Sequence, residues 1–350
     1  MEKHMSFKSF YFNILNGMAT GIVVALIPNA MLGELFKYLS QYHELFTVLT
    51  QYLMMFQFSA SIIIGVLAGY QLKFNGIQSV ILGGAAFIGS GAVQFTDKGA
   101  SLAGMGDLLN MLLTITVAAL VIRALGNRLG TLNIVFLPIL AGVLPGAVGT
   151  FTLPYMKMVT GSLGQVIAHF TTLNPLVMCI LICTAYALLM ATPISLVAIA
   201  TVISLSGLGS GAANLGITAC CYTFIVGSWF VNDKGVNTTL VIGAAKMMMP
   251  VYVRHPIIMV PLIINGIVGG TMAYFMGVQG TPMSAGFGYT GLVGPLNAFK
   301  YMDSSALVNV LKLLAAYVLV PLPVSILAHT VLLKILPGYH ADIYQFNKSE

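Results

Sequence analysis

The sequence predicts an all-α polytopic membrane protein of about ten transmembrane helices, with two interrupted or re-entrant segments. Three observations carry that expectation. Of its 350 residues, 58% are hydrophobic and only 7% are charged, and the mean hydropathy is +0.94. A water-soluble domain carries about 25% charged residues, so this chain lacks the polar surface to cover a soluble particle. Apolar stretches near the roughly 20 residues that cross a bilayer recur along the whole chain, separated by short connections.

The apolar segments run over residues 12–32, 45–70, 77–95, 108–125 and 133–151 in the first half. In the second half they run over 175–190, 194–205, 215–231, 236–253 and 256–277, with a last one at 306–336. The count is ten or eleven, depending on whether residues 175–205 form two short spans or one helix broken at "ATPIS", where Pro193 favours a break. The N-terminus "MEKHMSFKSF" has no signal-peptide pattern, so the first segment is expected to remain as a span.

Two stretches fit neither a plain span nor a loop. Residues 153–173 read "LPYMKMVTGSLGQVIAHFTTL", and residues 280–299 read "GTPMSAGFGYTGLVGPLNAF", with five glycines and two prolines. Non-helical backbone at membrane depth survives only when buried in protein or facing water. Both stretches are therefore expected to fold inward, although glycines also let helices pack closely.

The net charge of +6 comes from scattered Lys and Arg, which suits positive-inside topology and not nucleic-acid binding. Lys3, Lys8, Lys73, Arg123 and Arg128 fall on one side if the N-terminus is cytoplasmic. Cys179, Cys183, Cys220 and Cys221 all lie in apolar segments and read as buried packing residues, with no metal site implied.

An internal repeat is visible. "FTDKGAS" at 95–101 and "VNDKGVN" at 231–237 each follow the third segment of their half. "FLPILAGVLPGAVGTF" at 136–151 likewise resembles "MVPLIINGIVGGTMAYF" at 259–275. The halves run over about 12–173 and 174–300, followed by a final helix at 304–336. Five full spans per half would invert the second, an arrangement common in secondary transporters, whose interrupted segments mark the substrate site.

Candidate binding residues follow from polar groups at membrane depth. Thr281, Ser284 and Asn297 supply hydroxyls and an amide to the second loosened stretch. Lys246 in "VIGAAKMMMP" should face the bundle interior or a wet cavity, unless it snorkels to an interface. Asn110 is its counterpart in the first half. Arg254 and His255 in "VYVRHP" suit contact with an anionic group, hydroxyls or a relayed proton. His169 lies in the other loosened stretch. Asn174 fits a helix cap before Pro175, His329 fits a buried position near a kink, and His4, His43 and His340 fit the surface. No phosphate loop, GxSxG or HExxH motif is present, so no catalytic residue and no cofactor is expected.

At "GTPMSAGFGYTGLVGPLNA", with "DKG" and "NPL" upstream, the chain resembles the type-2 EIIC membrane subunits of the bacterial phosphotransferase system. That group includes the perfringolysin O regulator-like (PfoR) membrane proteins. The resemblance covers nearly the whole chain as a single EIIC-like domain, 1–350. It implies a dimeric permease of about ten spans in the bacterial cell membrane. Such a permease carries a sugar that an EIIB partner, supplied by EIIA, phosphorylates at the cytoplasmic face. Glucose-type EIIC proteins hold the sugar with a "GITE"-like glutamate, and "GTPMSAGFG" has no carboxylate. Besides the sugar permease, two other readings follow: a membrane-embedded sensor or regulator acting through a partner, and an ion-coupled transporter of a small anion working through His255 or His169.

Overall fold

The computed structural model describes residues 6–97, 99–126, 128 and 130–346. Lys3, His4 and Lys98, used in the sequence reading, lie outside them. The chain divides into two compact units, Met1–Val159 and Thr160–Glu350.

The first unit opens with α1 (Phe7–Leu39), whose N-terminus is capped by the Ser6 hydroxyl. Next come α2 (Glu44–Phe58) and α3 (Ala60–Gln71), which meet at a 45° bend beside Ser59. α4 (Gly76–Gly89) starts on an Asn75–Gln78 capping box, in which side chains satisfy amides that the first turn leaves open. A hairpin of β1 (Val93–Thr96) and β2 (Gly99–Leu102) pairs Phe95 with Ala100. α5 (Leu108–Leu125) begins on an Asp107 cap. α6 (Asn133–Leu137) leads through a π turn at Pro138–Val143 into α7 (Leu144–Phe170). α3 packs between α1 and α4. A side chain at Gly17 or Gly21 of α1 would strike the backbone of Ala68 or Ile64. This is the small-residue packing by which helices associate where apolar surroundings supply no drive of their own.

The unit boundary falls within α7. The second unit continues with α8 (Pro175–Met190), α9 (Leu196–Val202), α10 (Gly207–Ser228), α11 (Lys234–Val241), α12 (Met249–Arg254) and α13 (Met259–Met276). α14 (Val293–Tyr301), α15 (Ala306–Leu314) and α16 (Pro321–Ile335) complete it. α10 is the core: it packs against α8, α13 and α16 and is buried at every position from Gly209 to Cys221. The C-terminal tail folds back on its end. Asn232 donates to the Tyr344 carbonyl (2.8 Å), and Tyr339 links His329 to Tyr344 through contacts of 2.8 Å each. Burial moves the Tyr339 phenol up to about 12, so it is neutral, with its proton available to this network, at any physiological pH.

Among the described residues, six helices are long and apolar enough to cross a membrane, or seven if the bent pair α2–α3 is one span. The expected number was about ten, and the difference has identifiable causes. The segment expected at 236–253 is broken into α11, a 3-10 turn at Ala245–Met248 and α12. The segment expected at 194–205 contains only the seven residues of α9. The segments expected at 77–95 and 175–190 hold the shorter apolar helices Gly76–Gly89 and Pro175–Met190. The segment expected at 133–151 does qualify, and it runs on through α7 to Phe170.

That continuation corrects the first of the two interrupted segments, because residues 153–170 are helical throughout. Small and hydroxylated residues just before that stretch serve the same helix. Thr150 and Thr152 bond the carbonyls of Gly146 and Gly149 (both 3.1 Å), and Gly146 and Gly149 face Ile88 and Gly89. The two DKG sequences also differ locally: Gly99 of the first begins β2, and the second places Asp233 as the cap of α11.

Gly161 tests this account of α7. A methyl group there meets nothing within 4 Å, so Gly161→Ala should stabilise the protein by about 0.5–1 kcal/mol through helix propensity alone. A lower melting temperature would show that Gly161 sits where the backbone must open.

Candidate functional site

α10 shows why this sequence folds around it. Its first half, "GLGSGAANLG", is nearly free of bulky side chains, so other backbone can approach. A side chain at Gly211 would overlap the Val278 carbonyl, and one at Gly216 the Cys183 carbonyl. Interleaved with these glycines are Ser210, Asn214 and Thr218, four apart and therefore on one face. All three are buried. Polar groups in such a place require partners.

The partners come from the second loosened stretch. Residues 278–289, between α13 and a 3-10 turn at Thr290–Leu292, form no helix. Gly207 and Gly280 exchange both backbone hydrogen bonds (2.9 and 3.1 Å). Ser210 donates to the Thr281 carbonyl (2.8 Å), and Gly288 N–H donates to Asn214 Oδ1 (3.0 Å). Gly288 holds φ +59, a left-handed conformation that costs glycine little. Its absent side chain admits Ile217 of α10.

Within the loop, the expected residues come together. Thr281 N–H donates to Ser284 Oγ (2.9 Å), and Ser284 N–H to Thr281 Oγ1 (3.3 Å). Thr281 Oγ1 reaches Asn297 Oδ1 at 3.4 Å, and Asn297 Nδ2 donates to the Val293 carbonyl (3.0 Å). Tyr289 and Thr290 tie the loop to the carbonyls of Leu240 and Gly243 (both 3.3 Å). Gly286 lies against the backbone of Val197 in α9. The breaks around α9, after α11 and after α13 thus gather along one side of α10.

Lys246, expected to face the bundle interior or a wet cavity, turns its ammonium onto backbone of its own unit. Its ammonium donates to the carbonyls of Met190 (3.2 Å), Thr192 (2.8 Å) and Ile194 (2.8 Å), across the break between α8 and α9. Arg254 ends α12 and His255 follows it as its C-cap, both half-buried and both engaged by other groups. His169 is exposed in the last turn of α7. Asn110 lies in the first unit, where it donates to Gly89 O (2.5 Å) and Gly149 O (2.7 Å) and accepts from Thr152 (2.8 Å). Its amide is fully engaged in holding α4, α5 and α7 together.

Sequence reasoning missed Asn214 and Asn265. The spacing Ser210–Asn214–Thr218 within a glycine-rich helix was the available signal for the first. Asn265 donates to Thr223 (2.6 Å) and Ser325 (3.0 Å). Beside it lies a cavity of about 10 Å³ lined by Leu215, Ala219, Met272, Val320 and Pro321, space for about one water molecule. Among the described residues, no three His, Cys, Asp or Glu side chains could hold a metal ion together.

The family described as "Phosphotransferase system, EIIC" matches residues 12–346. The chain belongs to that family. This EIIC protein is accordingly a multi-pass membrane protein and a membrane sugar permease of the phosphotransferase system. No curated protein and no solved structure matches it. Among the described residues of the second unit, the carboxylates of the EIIC chain are Asp233, Asp303 and Asp342, all exposed. The polar face of α10 is built from neutral groups, which suits an uncharged polyhydroxylated ligand.

Proposed function

We propose that this EIIC protein carries a sugar or sugar derivative inward between α10 and the loop at 277–292. An EIIB partner, itself supplied by EIIA, phosphorylates the sugar at the cytoplasmic face. The observation that carries the reading is Asn214. Its Oδ1 is bonded to the loop, while its Nδ2 is buried and, among the described residues, without a hydrogen-bond partner. An unmade hydrogen bond of this kind costs about 1–3 kcal/mol, and a sugar hydroxyl that accepts from Nδ2 removes that cost. Thr281, Ser284 and Asn297 exchange their mutual bonds for bonds to the sugar as the loop shifts, and Arg254 and His255 receive the anionic phosphoryl group.

The wider reading places the N-terminus in the cytoplasm, supported by Lys8, Lys73, Arg123 and Arg128. It pairs two copies in the bacterial cell membrane, as family membership suggests. One EIIC domain of two repeat halves and about ten spans fits the division of the chain near Val159 and the shorter apolar helices Gly76–Gly89 and Pro175–Met190.

The test is thermal unfolding of the purified protein against sugars, sugar alcohols and sugar acids. At least one sugar should raise the melting temperature, and Asn214→Leu should remove that rise while still inserting in the membrane. Stabilisation by a small inorganic or carboxylate anion and by no sugar would overturn the permease site.

A further inference from the structure

Lys246 raises a question that the sugar site does not answer: why three backbone carbonyls, and no carboxylate, converge on one buried cation. The carbonyls belong to Met190, Thr192 and Ile194, alternate residues where α8 stops, and stand 52 to 56 positions away in sequence. Met190 is the last residue of α8, where carbonyls have no partner within the helix and carry the negative end of its dipole. Thr192 and Ile194 lie in the turn beyond it. An ammonium has three protons and no acceptor, and here each proton meets one oxygen. Lys246 therefore keeps no donor for a substrate.

Neutral carbonyl oxygens grouped around a positive charge are also how proteins take a bare monovalent cation out of water. The spacing of 2.8–3.2 Å suits ammonium or potassium. We propose that the break between α8 and α9 is a monovalent-cation site occupied permanently by this chain's own Lys246. The side chain supplies in place the charge that a transporter with an open carbonyl cage draws from solution. The broken segment therefore keeps its shape without a dissolved metal ion. None of this depends on which sugar is carried.

The full-length protein tests this directly. Lys246→Ala removes the ammonium and leaves the cage, whereas Lys246→Met fills it with an apolar chain. Thermal unfolding is followed at equal ionic strength in methylammonium, ammonium, potassium or N-methylglucamine chloride, the last too large to enter. The wild type should unfold at one temperature in all four. Lys246→Ala should be less stable in N-methylglucamine. It should recover by about 3 °C when methylammonium or potassium exceeds its dissociation constant roughly tenfold. Lys246→Met should be destabilised and unresponsive.

Cys220 provides a second readout, since it is buried against the Ala191 backbone and Lys246. Its alkylation by maleimide, mapped by peptide mass spectrometry, should be at least tenfold faster in Lys246→Ala and slow again with methylammonium. Wild-type stability of Lys246→Ala, or equal stability of that variant in every salt, overturns the site. So does a Lys246→Ala chain that fails to accumulate even in cells grown with methylammonium.

Discussion

Gly211→Val is expected to abolish uptake and to lower the melting temperature by several degrees. The first atom of any side chain at this position falls on the Val278 carbonyl, and backbone cannot rotate aside as a flexible side chain can. Overpacking typically costs about 1–3 kcal/mol, and a rigid neighbour places this site at or above the upper end. The consequences spread, because moving Val278 away from α10 also pulls on the paired bonds between Gly207 and Gly280 and on the Ser210–Thr281 bond. Uptake and thermal unfolding of the same preparation check this. Wild-type values for both would mean that the loop is not seated on α10. Gly161→Ala is the matching control, since that glycine faces open space and its replacement should help.

The other large effect is expected at Asn110, in the first unit. Asn110→Leu removes two donated bonds and one accepted bond at once; the Gly89 carbonyl loses its amide partner, while Thr152 and the Gly149 carbonyl keep only their own 3.1 Å bond. An orphaned buried group costs about 1–3 kcal/mol and a lost net bond about 1 kcal/mol, so a loss on the order of 3 kcal/mol is expected. Leucine is also bulkier, at a crossing where Gly89 and Gly149 already touch Thr114. Denaturation of purified Asn110→Leu measures the loss. Thr152→Ala removes only one of the three bonds and should cost about 1 kcal/mol. If the two variants lose equally little, Asn110 does not hold the crossing together.

These two sites also show what the sequence made legible. Composition was enough for the membrane class, because the deficit of charge is a property of the whole chain. The non-helical backbone at 280–289 was readable because the stretch 280–299 carries two prolines and five glycines, although its end, from Val293, belongs to α14. The stretch at 153–173 looked similar, yet it forms a helix. Thr171 and Thr172 bond carbonyls of its own last turn and Gly161 faces open space, and neither fact can be read from a single chain. Asn110 and Lys246 drew attention as polar groups among apolar ones. What each bonds is mostly backbone carbonyl tens of residues away, and a carbonyl leaves no trace in the residue alphabet. Asn214 was legible in its spacing from Ser210 and Thr218, but it hides inside an unbroken helix while attention falls on irregular segments.

All four cysteines, Cys179, Cys183, Cys220 and Cys221, are buried and unbridged. The practical result concerns spectroscopy. The natural protein is already close to a silent background for thiol-directed dyes and spin labels, so single reporters can be introduced on the loop without first stripping the interior of sulfur. Distances between such reporters, followed as sugar is added, would report the proposed shift of the loop in the molecule as it is made by the cell.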